Sequence, residues 1–449
     1  MQYSYAMRNI LSHCLLISCV LLQTLPASAQ ESKSIVGINS ELTYKMLEPN
    51  QNVRKVNILI NERHAGRLET KKLIIGTSLI AIADFQHSNT DSRFAYLMRH
   101  PTSTNQIGTE VSEAVIHSFQ FSVYGAINPW IATFAEMLYN PEQSFGTGTI
   151  TAIGRNQIQL YRGFVVLGNL DKFPIYGAIG KMDAPFGLMN SVSPFTNSTM
   201  WHAFSGLGYG AQIGFKKYNI EATFMAVQGG SQFRAMNTIV GDSTNVPSQL
   251  NNFTADLNYT LHFASEVELK IGASYLRGSV YNQDFPVIHF KAGVMNNPAS
   301  TVYSEFLLHQ RLLIIAAFAK TAYAWPGTYN PSPPLNIYPA SKVSSLVAGA
   351  KYTFNPESKI AYTISAEFSN YIAGPDGSPW ERQNQYILGF CGLINKSSKF
   401  FIEVFGTQGY VPLNFISGSN PNDPFPEGTT HCSNSATSLG VVVGAQIVF

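Results

Sequence analysis

Charge is the first thing scarce in this 449-residue chain: Asp, Glu, Lys and Arg together make up 12% of it, about half of what an ordinary soluble domain carries. A soluble protein of this length would need more charge to cover its surface. Long apolar runs are missing too. Beyond residue 29 no uninterrupted run reaches the roughly 18 residues that a membrane helix needs. Cysteine is sparse, at four residues, and two of them, Cys14 and Cys19, lie near the N-terminus. The other two, Cys391 and Cys432, fall toward opposite ends of the candidate strands, which argues against a disulfide, and their spacing makes no metal site. A formal net charge of +2 is too mild for a nucleic-acid partner. What is plentiful is aromatic side chains, at 12%, and glycine, at 35 residues. The mean hydropathy is +0.01, so apolar residues are interleaved with polar ones. A chain of that kind crosses a membrane only as a closed barrel.

The N-terminus reads as a secretory signal. Arg8 is the positive flank, Leu15 to Leu25 the apolar core, and Ala27-Ser28-Ala29 a small-residue cleavage site before Gln30. A competing reading takes Leu16-Ile17-Ser18-Cys19 as a lipoprotein box with Cys19 acylated, on an apolar stretch that His13 interrupts. The expected plan is a signal peptide at 1–29, a short periplasmic extension at 30–71 and an outer-membrane β-barrel at 72–449. Glu31 to Lys71 is more charged than the barrel segment and lacks any period-2 pattern; a poorly ordered leader, or one short helix or strand, suits it.

Sixteen candidate strands make up the barrel segment. They run from Leu73 to His87, Glu113 to Gly125, Trp130 to Asn140, Gln157 to Gly168, Phe173 to Asp183, Gly206 to Lys216, Asn219 to Gln228 and Asn252 to His262. The second half comprises Glu266 to Arg277, Ser300 to His309, Arg311 to Tyr323, Ser345 to Phe354, Lys359 to Asn370, Asn384 to Ile394, Lys399 to Gln408 and Thr437 to Phe449. Val287 to Val294 competes for the tenth place. Connections from even to odd strands are brief, such as Ile127-Asn128-Pro129 and Lys217-Tyr218, whereas those from odd to even strands are long and rich in Gly, Pro, Asn and Ser. Short turns on one side and long loops on the other are the rhythm of an outer-membrane meander, with the turns periplasmic. A soluble all-β sandwich gives no reason for that alternation.

Side chains alternate within strands. Phe253, Ala255, Leu257, Tyr259 and Leu261 oppose Thr254, Asp256, Asn258, Thr260 and His262, and the last strand ends on Phe449 in the same phase as Leu439, Val441, Val443, Ala445 and Ile447. Phe449 resembles the terminal aromatic that such barrels present to their assembly machinery. Charges on a lipid face cost about 2–4 kcal/mol near the midplane, so strand charges should point inward. The inward bases are Arg162, Lys181, Lys216, Lys270, Arg277, Lys320 and Lys351; the inward acids are Asp84, Glu136, Asp183, Glu221, Asp256, Glu268, Glu367 and Glu403. For each base two readings stand: a structural ion pair, or a contact to an anionic solute in a lumen that sixteen strands leave wide enough for water. Mixed sign does not fix ion preference.

The stretch Gly168-Asn169-Leu170-Asp171-Lys172-Phe173-Pro174-Ile175-Tyr176, with Gly180, Pro185-Phe186-Gly187 and Pro194-Phe195-Thr196 behind it, resembles the LbtU-like siderophore porins of the Legionella and Coxiella type, related to the Francisella siderophore receptor proteins. The resemblance is closest over Gln157 to Gln228. It implies an outer-membrane barrel of sixteen strands, without a globular plug, that takes up a ferric siderophore of a carboxylate-rich type. Glu31 to Lys71 is too short for a plug and, unlike the periplasmic helix of related proteins, shows no sustained heptad.

Four functions compete: a ferric-siderophore channel, a general or anion-selective porin, a surface adhesin or structural barrel, and an outer-membrane enzyme. His202, His262, His309 and His431 are the candidate residues for an enzyme, but no acid, base and nucleophile stand at a recognisable spacing. The expectation is therefore no enzyme, no cofactor and no metal. Partners would be outer-membrane lipid, the barrel-assembly machinery and a ferric siderophore or small anionic solute; the oligomeric state is open.

Overall fold

Alternation along the strand Ile360–Ile372 shows how the fold is built. On this strand Tyr362 and Ile364 are 46% and 47% exposed while Ser365, Glu367 and Ser369 are buried. The computed structural model describes residues 35–49, 54–89, 109–139, 158–227, 250–264, 266–283, 295–331, 333–410 and 433–449. They contain sixteen long antiparallel strands. β1 to β8 are Lys72–Ser88, Glu110–Asn128, Ile131–Tyr139, Ile158–Gly168, Ile175–Asp183, Leu207–Lys217, Ile220–Val227 and Asn252–Ala264. β9 to β16 are Val267–Leu276, Ala299–Leu308, Leu312–Thr321, Ser344–Phe354, Ile360–Ile372, Arg382–Ile394, Ser398–Tyr410 and Ser433–Val448.

Each strand pairs with its sequence neighbours, and β16 pairs with β1 from Ser438 opposite Ser88 to Val448 opposite Ser78, which closes the wall. The tenth strand is Ala299–Leu308, paired along its length with β9 and β11; Val287 to Val294 lies outside the described residues. Closure leaves no unpaired edge. The backbone of Phe449 exchanges two hydrogen bonds with Thr77, both of 3.0 Å, and its ring is exposed on the outer face.

The two faces are inverted relative to a soluble sandwich. On β8 Leu257 and Tyr259 are exposed and Thr254, Asp256 and Asn258 are buried; on β16 Leu439 and Val443 are exposed and Gln446 is buried. An apolar outer face around a polar interior is the surface of a transmembrane barrel, because lipid meets the outside. The turns agree with the sequence. Tyr218 and Asn219, between the paired Lys217 and Ile220, have φ of 54° and 65°, two successive positive values as a type I′ hairpin requires. The Asn128 side chain accepts from the amides of Trp130 and Ile131 at 2.8 and 3.0 Å. In the turn after β4, Asn169 Oδ1 accepts from Asp171 N at 3.0 Å. Gly168 has φ of 145°, and a Cβ there would lie 2.8 Å from Tyr176 Cα. Only glycine fits that approach.

No globular plug stands inside the barrel among the described residues. The segment before β1, expected as an extension, folds into two short helices, α1 at Ser40–Leu47 and α2 at Lys55–His64. Asn39 caps α1 by accepting from Leu42 N at 3.0 Å. Ahead of α1, Val36–Gly37 pairs in parallel with Leu73 and Ile74 of β1. Leu42, Met46, Leu47, Val56, Leu59 and Ile60 are buried in one cluster with the inward-facing Ile74, Tyr124, Phe134 and Phe164. Helices of eight and ten residues are too short to show a heptad.

Candidate functional site

The lumen is the candidate site, and two segments fill much of it. The first is the connection from β5 to β6. It leaves β5 through Pro185-Phe186-Gly187, where Gly187 has φ of 66° and its amide donates to Ser274 Oγ at 2.8 Å. The connection is buried along most of its length and includes α3, Thr199–Phe204. A loop in solvent would carry charges, yet from Ala184 to Phe215 the chain has no Asp, Glu, Lys or Arg. Two inward carboxylates of the far wall pin it instead. Glu367 on β13 accepts from Ser191 Oγ at 2.6 Å and Val192 N at 2.8 Å. Glu403 on β15 accepts from Phe195 N at 2.5 Å, Thr196 N at 3.1 Å and Thr196 Oγ1 at 2.6 Å.

Further bonds join Thr199 N to Ser369 Oγ at 3.0 Å and Gln385 Nε2 to Asn197 O at 2.9 Å. Phe195 stacks on Phe401 with centroids 5.3 Å apart. The loop thus crosses the lumen from β5 to the β13–β15 wall and narrows it. At its root Arg162 donates from Nε and Nη2 to both oxygens of Asp183, at 2.7 and 2.8 Å, and from Nη1 to Glu136 at 2.9 Å. Toward the long-loop end Phe204, Tyr281, Trp325 and Tyr371 form a buried aromatic cluster, with Tyr281 OH donating to Ala203 O at 2.9 Å.

The second filling is the helix pair, at the end of the barrel where the short turns lie. Glu48 pairs with Lys399 of β15 at 2.9 Å. Arg54 donates to Asp256 of β8 and to Tyr303 OH of β10, each at 2.8 Å. Asn57 donates to Glu221 of β7 and accepts from Tyr176 OH at 2.8 Å, Asn61 accepts from Lys216 at 2.8 Å, and Arg63 reaches Gly168 O. Lys55 gives its ammonium to Lys45 O at 2.9 Å and Glu48 O at 3.2 Å. Burial, reinforced by Arg162 nearby, lowers its pKa from 10.5 to about 8. Glu62 is held below its ordinary range, chiefly by the hydrogen bond from Arg67.

Between α2 and the wall from β6 to β10 lies a cavity of about 540 Å³. Its charged lining is Arg54, Lys216, Lys217 and Lys270 against Glu221, Glu268 and Glu305, with Asn57, Asn61 and Asn258 among its amides. Lys270 sits 3.3 Å from Glu305 and His262 3.5 Å from Glu268.

The inward residues expected from sequence divide accordingly. Lys216 and Lys270 line the cavity; Arg162 and Lys181 are buried at the loop root, Lys181 donating to Leu160 O at 3.1 Å. Lys351 shares the inward face of β12 with Val347. Among the acids, Glu136 and Asp183 hold Arg162, Asp256 holds Arg54, Glu221 and Glu268 line the cavity, Glu367 and Glu403 hold the loop, and Asp84 is buried on the inner face of β1.

Two expectations are corrected. Ser274 bonds the inward Asp256 at 2.5 Å, so Tyr275 and Arg277 fall on the outward phase, and Arg277 is exposed. Lys320 lies in phase with the exposed Ile314 and Phe318, while Ile315, Ala317 and Ala319 are buried. Both are at the long-loop ends of their strands, where a long cationic side chain can reach the polar boundary of a bilayer, so the rule that charges point inward lapses there. Arg54, Lys399, Asn57 and Asn61 were not singled out. His202 is in α3, His262 in the cavity and His309 beside Glu266 at a turn, so these three are not brought together; His431 and Cys432 are outside the described residues. Cys391 is a free thiol, and no group of metal-ligating side chains occurs among the described residues.

No protein-family model matches the chain. A UPF0422 protein of Coxiella burnetii is 24% identical over 180 residues, which is 38% of this chain and 33% of that protein, so the match spans about a third of the relative's length. Among solved structures, OprB of Pseudomonas putida at high pH has a TM-score of 0.51 at 8% identity, over 84% of this chain and 94% of that one. The outer-membrane channel DcaP of Acinetobacter baumannii gives 0.49 at 10% identity, over 84% and 97%. An anion-selective porin from Comamonas acidovorans gives 0.48 at 10% identity, over 84% and 100%. At 8% identity the likeness to OprB is one of fold, a porin-like barrel.

Proposed function

We propose that this protein is an outer-membrane channel that admits a small polar solute through a constricted lumen, and that its cargo is a ferric siderophore. The observation that carries the channel reading is the inverted barrel itself: apolar side chains outside, and inside a polar lumen narrowed by the pinned loop with a cavity of about 540 Å³ left beside α2. That volume falls within the range of small-molecule sites, about 300–1,000 Å³. The cargo reading is supported by the motifs behind the siderophore-porin resemblance, which stand at the turn before β5 and at its exit into the pinned loop. Four cationic side chains at the cavity suit a carboxylate-rich chelate. The exposed ring of Phe449 on the outer face at the turn end supports its reading as an assembly signal.

Purified protein in planar bilayers tests both levels. Discrete conductance steps that a ferric carboxylate siderophore blocks, and loss of siderophore-dependent iron uptake on gene deletion, are the expected results. Conductance indifferent to the chelate, with unchanged uptake, would remove the cargo and leave a general porin. The paired charges around the cavity favour that second reading, since Lys270 has Glu305 at 3.3 Å and Lys216 has Glu221 at 3.8 Å.

A further inference from the structure

The helix pair is held by two unlike seams. On one side it packs close against β16, β1, β2, β3 and β5, burying six apolar side chains against the inner wall. There the Oγ1 of Thr43 and the hydroxyl of Tyr124 lie 3.1 Å apart, and Lys71 N donates to Ala126 O at 2.7 Å. On the other side, toward β6 to β10, the hold is made by long polar side chains reaching across the edge of the cavity: Arg54 to Asp256 and Tyr303, Asn57 to Glu221, and Asn61 to Lys216. Arg54 also lies 3.4 Å from Gly187 O, where the pinned loop leaves β5. One residue therefore ties the helices, the loop and the wall together.

The two seams respond differently to water. Apolar contacts are lost outright when they open, whereas polar contacts exchange for hydration at small net cost. Between Gly37 and Thr70, among the described residues, the backbone hydrogen bonds close within the segment, so the polar seam can part without breaking a strand ladder.

We propose that α2 is a one-sided gate at the turn end of the lumen. It stays seated on the β1–β5 side and swings from the β6–β10 side, widening the cavity into a passage, with Arg54 as the latch. This rests on the channel reading but not on the cargo.

The test uses full-length protein with Cys14, Cys19, Cys391 and Cys432 replaced by serine, carrying Asn57→Cys and Glu221→Cys. A short thiol-cleavable bis-methanethiosulfonate linker across that pair should suppress conductance, and reductant should restore it. Separately, Arg54→Ala removes a charge-assisted bond and should raise the open-to-closed ratio by about tenfold. Heat-modifiable gel mobility verifies that each variant is a folded barrel. If the wild type conducts while linking changes nothing and Arg54→Ala gates like wild type, the gate is wrong and the channel stands. If no form conducts, including a variant lacking residues 38–69, the channel reading falls and the gate with it.

Discussion

Replacing Glu403 with alanine should unpin the loop that crosses the lumen. The carboxylate is buried and holds three donors, Phe195 N, Thr196 N and Thr196 Oγ1. The hydroxyl can turn to another acceptor, but the two amides cannot be mutated away. Leaving both buried without an acceptor costs roughly 1–3 kcal/mol each, or about 2–6 kcal/mol if the loop stays in place. Opposing this locally is the burial of Phe195 among Ile80, Ile82, Phe401 and Phe405, about 2–3 kcal/mol for a phenylalanine. The terms are comparable, so the part of the loop around Phe195 and Thr196 should populate a detached state while Glu367, Ser369 and Gln385 still hold its flanks. Even the low end, about 2 kcal/mol, shifts the detached-to-docked ratio roughly thirtyfold. Conductance should rise, and chymotrypsin should cut at Phe186, Phe195 or Trp201, sites absent from a tryptic map because the stretch has no Lys or Arg. Glu403→Gln retains one acceptor oxygen and should show a smaller effect. If Glu403→Ala is a folded barrel yet matches wild type in both conductance and chymotrypsin resistance, the loop is not held as described.

Other perturbations separate structural charges from lumen charges. Arg162→Met strands the carboxylates of Glu136 and Asp183 inside the wall, which should cost about 3–5 kcal/mol; the folded gel band should be lost at a clearly lower temperature, and an unchanged midpoint would refute the pairing. Lys270→Glu should shift the reversal potential in a salt gradient toward cation preference, whereas Lys320→Glu and Arg277→Glu, on the outer phase, should leave it unmoved; equal shifts would contradict the assignment of faces. Lys55 predicts a pH dependence for the seating of the helix pair. Burial lowers its pKa to about 8 from 10.5, so the folded state carries the penalty of a buried ammonium, roughly 3 kcal/mol, below pH 8 and sheds it as pH rises toward 10.5. Protection of α2 from limited proteolysis should therefore increase between pH 7 and pH 10, and Lys55→Met should flatten that slope; an identical slope in the variant would rule Lys55 out.

The wall was legible because a strand's period of two is enforced along its whole length by two solvents. Thr254, Asp256 and Asn258 could be assigned to the interior from alternation alone, and the short turns between even and odd strands fixed strand number and closure. Phase fails at two bulges, His117 in β2 and Tyr161 in β4, and where its physical basis lapses. Lys320 and Arg277 stand where strands leave the membrane, so a cation there escapes the cost that drives its neighbours inward.

What fills the barrel obeys no such period. Glu403 and Glu367 read in sequence as two more inward acids, and nothing along β13 or β15 says that their partners are the amides of Val192, Phe195 and Thr196, roughly two hundred residues away. The signal lay in the loop: a stretch from Ala184 to Phe215 without one charged residue, yet full of Ser, Thr and Asn, is polar enough to bond a lumen wall and too poor in charge for open water. The helix pair shows the converse. Its charges suggested a poorly ordered leader, but Arg54 and Glu48 are matched by wall groups that only the closed barrel brings near, and Lys55 by the backbone of α1. Because a barrel built of alternating strands supplies acceptors and donors around its whole inner circumference, any charged segment of the right length beside it can be drawn in. Charge near the start of such a chain is thus an argument for a lumen occupant as much as for a solvated tail.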